Sequence, residues 1–181
     1  MPAFGRDAFF THELDFRLAV DGPVTLFWSP AVLSETVGWL ARSGYTVITV
    51  DSSACTSQRD LHRALASALN FPDYYGHNLA ALNDCLSDVV TYEYASSPAA
   101  TGFVLVLNHY DALATLQPDF AHAVLDVYAR QARSAALIGH RMLCLVQSND
   151  PDLRFEAVGA SRVGWNSAEW LDTTRHPPKP R

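Results

Sequence analysis

Residues 45–89 read YTVITVDSSACTSQRDLHRALASALNFPDYYGHNLAALNDCLSDV, and three patterns follow one another in them. Tyr45 to Val50 is a run of β-branched and apolar residues, the composition of a buried strand. Ser57-x-x-Asp60 has the form of a capping box, and Leu61, Leu65 and Leu69 follow at helical spacing. Phe71-Pro72 stops that helix. Asn78 can cap another, whose apolar stripe is Leu79, Leu82, Leu86 and Val89. Strand, helix, loop, helix is the start of a parallel α/β unit.

The same alternation extends in both directions. Downstream, Phe103–Leu107 reads as a buried strand. Pro118-Asp119 opens a helix over 119–136 that turns Phe120, Val124, Val127 and Tyr128 inward, Gly139 closes it, and Met142–Val146 is the next strand. Upstream, Val24–Trp28 is a short apolar strand after Gly22-Pro23, and Ser29-Pro30 opens a helix with an apolar face of Leu33, Val37, Leu40 and Ala41. Residues 1–22 read as a loose arm or an edge strand. Residues 155–170 can form a hairpin, and the proline-rich end from His176 to Arg181 reads as disordered. The expected fold is α/β, with helices on both faces of a mainly parallel four-stranded sheet built from Val24, Tyr45, Phe103 and Met142.

A chain of 181 residues with 49% apolar and 18% charged residues is long enough for one domain with a full core and too short for two. No apolar run is long enough to span a bilayer, and the N-terminus lacks a signal-peptide pattern. The three cysteines, Cys55, Cys85 and Cys144, have neither metal spacing nor an even count. A cytoplasmic address is expected. Lys179 is the only lysine among 13 basic residues, a bias that fits a GC-rich bacterial genome. The net charge of −6 is unevenly spread. Between Arg63 and Arg130 there is no lysine or arginine but seven carboxylates: Asp73, Asp84, Asp88, Glu93, Asp111, Asp119 and Asp126. Such a segment repels nucleic acid and attracts a basic partner, although a solvated acidic surface has the same composition.

Signatures of catalysis are missing. No glycine-rich phosphate loop and no Gly-x-Ser-x-Gly elbow occurs, and the seven histidines are scattered singly. Cys85 and His77 lie about two helical turns apart, roughly 12 Å along an axis, too far for a thiol-activating hydrogen bond. Cys85 beside Leu86 reads better as a packed thiol. Asp84 and Asp88, at i, i+4, share a helix face and could act as a carboxylate pair or simply be solvated. No enzymatic activity, cofactor or metal is expected.

One stretch carries more information. Pro72-Asp73-Tyr74-Tyr75-Gly76-His77-Asn78-Leu79-Ala80-Ala81-Leu82-Asn83-Asp84-Cys85-Leu86 resembles, without gaps, the signature of the barstar family, intracellular inhibitors of secreted ribonucleases. The resemblance spans about residues 45–147. It implies a three-layer barstar-like fold, with residues 1–147 as the domain, 1–44 as an added N-terminal strand–helix unit, and 148–181 as a C-terminal extension. It also implies that the loop and following helix plug a nuclease active site. Asp84 matches the aspartate that takes the place of the substrate phosphate, Tyr74 matches a loop tyrosine that packs on the enzyme, and Gly76 offers close backbone approach. The surrounding contact face would comprise His77, Asn83 and Ala80. On a helix, Ala80, Asn83, Asp84 and Ser87 form one stripe, which should face solvent while the leucines turn inward.

Three positions depart from the family pattern. Ala80 replaces an aspartate, Asn83 replaces a tryptophan, and Arg130 stands where an acidic residue is expected on the third helix of the family. The implied partner is a basic ribonuclease or nuclease toxin, the latter making the chain an immunity protein, with no direct nucleic-acid or membrane binding. The alternative is a barstar-fold interaction or regulatory module for another basic protein.

Overall fold

The structure is a computed structural model and describes residues 13–176. Its sheet has five strands, all parallel: β1 (Val24–Phe27), β2 (Tyr45–Asp51), β3 (Gly102–Asn108), β4 (Met142–Gln147) and β5 (Gly164–Trp165), in the spatial order β2-β3-β4-β1-β5. The four strands read from sequence are all present. The register runs Tyr45↔Gly102 to Asp51↔Asn108 between β2 and β3, and Phe103↔Met142 to Leu107↔Val146 between β3 and β4. β1 then lies against β4 with Val24 opposite Cys144. The added N-terminal strand therefore widens the sheet.

Burial on both faces explains the nearly continuous apolar strands. One face carries Val24, Leu26, Val50, Phe103, Leu105, Leu107, Cys144 and Val146. It is covered by α3 (Gln58–Leu69), α4 (Leu79–Val90), α5 (Tyr110–Leu116) and α6 (Pro118–Leu137). The alternate residues Phe27, Tyr45, Val104, Val106, Leu143 and Leu145 form the second face, under α2 (Pro30–Arg42) and Leu18 of α1 (Leu14–Ala19). Because successive strand residues point to opposite faces, one sequence run supplies both cores.

Two expectations at the ends need correction. Within residues 13–22 the chain forms helix α1 instead of a loose arm or edge strand, since Leu14 and Leu18, at i and i+4, both pack on the second face. Asp15 on the same helix accepts a hydrogen bond from Tyr45 at 2.7 Å. Residues 1–12 lie outside the described residues. The hairpin over 155–170 does not form: Gly164–Trp165 pairs in parallel with β1, and the antiparallel pairing is a single bridge between Val158 and Ser161. The tail is held instead by Glu169, 2% exposed, whose carboxylate accepts from the backbone N–H groups of Trp28 at 3.0 Å and Ser29 at 2.8 Å. The disorder expected from His176 onward falls largely on residues 177–181, outside the described residues. His176 itself follows the short helix α7 (Asp172–Arg175) and contacts Asp152 at 3.2 Å. A further helix, α5, was not expected.

Candidate functional site

The stretch Pro72–Asn78 is a tight, well-anchored loop between α3 and α4. Asn70 ends α3 in the left-handed conformation, and Tyr75 donates its backbone N–H to Pro72 O at 2.9 Å. Tyr75 points inward, at 5% exposure, and its hydroxyl lies 2.6 Å from Nδ1 of the buried His62 on α3. Phe71 and His77 flank its ring at centroid distances of 4.9 and 5.0 Å. Burial lowers the pKa of His62, with a smaller contribution from the nearby His77. A neutral His62 has one donor and one acceptor nitrogen, so its tautomer sets the direction of the hydrogen bond between Nδ1 and the Tyr75 hydroxyl. Asn78 then caps α4: its Oδ1 accepts from Ala81 N at 2.9 Å, and its Nδ2 donates to Gly76 O at 3.2 Å. A side chain at Gly76 would put a Cβ 3.0 Å from that Nδ2, so the capping amide would have to shift to admit it.

With Tyr75 buried, its neighbours face out. Tyr74 is 81% exposed, and Gly76 and His77 are also exposed. On α4, Leu82, Cys85, Leu86 and Val89 turn into the core. Ala80, Asp84 and Ser87 are exposed, and Asn83 is half-buried. Tyr74, Gly76, His77, Ala80, Asn83 and Asp84 thus occur on one loop and the outer face of the helix that it starts. Burial pushes the Cys85 thiol upward, consistent with a packed side chain. Asp88 accepts a hydrogen bond from Tyr94 at 3.2 Å.

One polar contact joins this face to α6 and a second continues it along α4, and neither is evident from sequence. Gln131 Nε2 donates to Asn83 Oδ1 at 2.9 Å, and Asn83 Nδ2 donates to Asp84 Oδ1 at 3.4 Å. Arg130, next to Gln131, is turned along its own helix to Asp126, at 2.6 Å. The other Asp126 oxygen accepts from Gly159 N of the tail at 2.8 Å. The inverted charge at position 130 is therefore offset within α6.

The face is convex. The cavity of about 460 Å³ lies elsewhere, between the starts of β2 and β4 and the end of α6, lined by Tyr45, Met142, Ala132 and Arg133 among others. No residue of the 72–78 loop or of the outer α4 stripe borders it. Among the described residues no three His, Cys, Asp or Glu side chains are grouped to hold a metal, and no helix is long and apolar enough to cross a membrane. Asp84 makes no ion pair among the described residues, so its exposed carboxylate is open to solvent on the outer side of α4.

Comparison with known proteins bears on this face directly. A family model described as Barstar (barnase inhibitor) matches residues 45–147, which include all of it. A Bacillus subtilis (strain 168) protein named "Putative ribonuclease inhibitor YrdF" is 39% identical over 67 residues, which are 37% of this chain and 64% of that protein. The match thus spans a little under two thirds of that relative's length. Among solved structures, one titled "Structure of Drosophila ORC bound to DNA" aligns with a TM-score of 0.47 and 14% identity, over 74% of this chain and 35% of that one.

Proposed function

From the chain's membership of the barstar family, whose members are inhibitors rather than enzymes, we propose that it inhibits a ribonuclease by inserting the 72–78 loop and α4 into the active site. The observation that supports this most is the exposed Asp84 on a rigid helix face, with no lysine or arginine between Arg63 and Arg130. A nuclease active site is a basic pocket built for phosphodiesters. A fixed carboxylate offers it the same charge and acceptor geometry, and charge-assisted hydrogen bonds are among the strongest available. Tyr74 would pack on the rim, Gly76 would admit close backbone approach, and His77, Asn83 and Ala80 would complete the contact. In a cell that also makes a nuclease toxin, the same contact would confer immunity.

Barnase supplies the test, being the enzyme that the family is described as inhibiting. Titrating the protein into a barnase assay with a fluorogenic RNA should abolish cleavage near equimolar ratio. Cleavage that persists at saturating protein would sink the proposal. A second reading, an interaction module for a different basic protein, is favoured by Ala80, Asn83 and Arg130, which remove or reverse family contacts. It predicts complex formation with a cationic protein while RNA cleavage continues.

A further inference from the structure

We propose that Gln131 is a positioning residue for recognition: through Asn83 it fixes the direction in which the Asp84 carboxylate is presented. This inference rests on the reading of Asp84 as the anchor. The polarity of the chain of contacts follows from its last member. An ionised carboxylate can only accept hydrogen bonds, so the Asn83 amide turns its NH2 end toward Asp84. That leaves Asn83 Oδ1 facing α6, where it needs a donor, and Gln131 Nε2 provides one at 2.9 Å. Asn83 is half-buried and Gln131 lies at the α4–α6 contact, so the link ties the outer face of α4 to a second helix. A free Asn83 side chain would sample several rotamers, and Asp84 would lose the hydrogen bond from Asn83 Nδ2. Held by Gln131, the pair is ordered before a partner arrives, which removes part of the ordering cost of binding. An aromatic residue at position 83 could not transmit this constraint, whereas asparagine, with a donor and an acceptor at one end, can.

The substitution that isolates the effect is Gln131→Met, which keeps length and removes the donor. Two readouts are needed. In the free protein, NMR of the Asn83 side-chain NH2 should show lost order in Gln131→Met, with an unchanged far-UV spectrum. Against barnase, Gln131→Met should weaken binding about three- to tenfold, mainly through faster dissociation, and should have no effect in an Asn83→Ala background. Gln131→Ala serves as a second variant should methionine repack. Unchanged Asn83 dynamics, or an equal loss in the Asn83→Ala background, would overturn the inference, because Gln131 would then act by packing or by direct contact. If Asp84→Ala itself binds barnase as tightly as wild type, the anchor reading fails and this inference fails with it. If Asp84→Ala weakens binding and Gln131→Met does not, only the positioning role is lost.

Discussion

In the proposed function Asp84 makes the contact, and the pair Tyr75–His62 supports the loop from beneath. Asp84 is exposed, so its removal should leave the fold intact. In a complex it would leave the partner's catalytic cations desolvated without a counter-charge, the expensive way to break an ion pair. Asp84→Ala should therefore cost about 2 kcal/mol or more of binding free energy, measured by calorimetry. The extreme known anchors of this kind include one from barstar, so that magnitude is calibrated on a relative. Tyr75 and His62 act from beneath. Burial holds the pKa of His62 below its usual 6.5, so the folded protein binds fewer protons than the unfolded chain below that pH. The associated stability is fully present above pH 6.5 and is lost as pH falls through the lowered value. Urea melts at descending pH should show this decline, and His62→Gln, which cannot titrate, should reduce it, leaving the share of the buried His140, whose pKa burial also lowers. The Tyr75–His62 contact has no sequence signal: the residues are 13 apart, on a helix and a loop, and only folding brings them together.

Elements were legible wherever local chemistry and burial agree. Helix α3 begins with the capping box read from Ser57 and Asp60, with both reciprocal hydrogen bonds formed. Ser57→Ala should destabilise the protein by about 1 kcal/mol in thermal or chemical melts without affecting partner binding. Helix α4 begins at Asn78, as its capping side chain indicates. By contrast, α5 starts without a side-chain cap, from His109 in the left-handed conformation, and is only seven residues long. Its buried Tyr110, Leu113 and Ala114 are too few to establish a period. The tail was misjudged for a different reason. Its apolar residues suit a hairpin, but a parallel partner already waited in β1, and the Glu169 carboxylate fits the N–H groups that open α2. Such long-range satisfaction of backbone donors leaves no periodic trace. Glu169→Ala should strip two backbone donors of their acceptor, and hydrogen exchange at Trp28 and Ser29 should accelerate with little change around α4.

At the scale of the whole molecule, charge and strand order have separate consequences. The seven carboxylates between Arg63 and Arg130 would steer a cationic enzyme toward α4. Stopped-flow association with barnase should therefore slow with added salt, while dissociation changes much less. Helix α2 lies on the opposite face of the sheet from α4, so it leaves the proposed contact face clear. Strand order also sets a timetable. Among the described strands β1 leaves the ribosome first, yet its two neighbours, β4 and β5, are made last. While residues 45–147 emerge, Leu26 and Phe27 wait without the strands that will cover their edges. The family core can assemble during that interval, and β1 must then find a slot beside β4 before β5 closes over it. Non-local pairing of this kind slows folding and prolongs the exposure of apolar strand edges. A nascent chain arrested short of β4 is thus an apolar strand in search of a partner, and it is at that stage, rather than in the finished protein, that a chaperone would have most to hold.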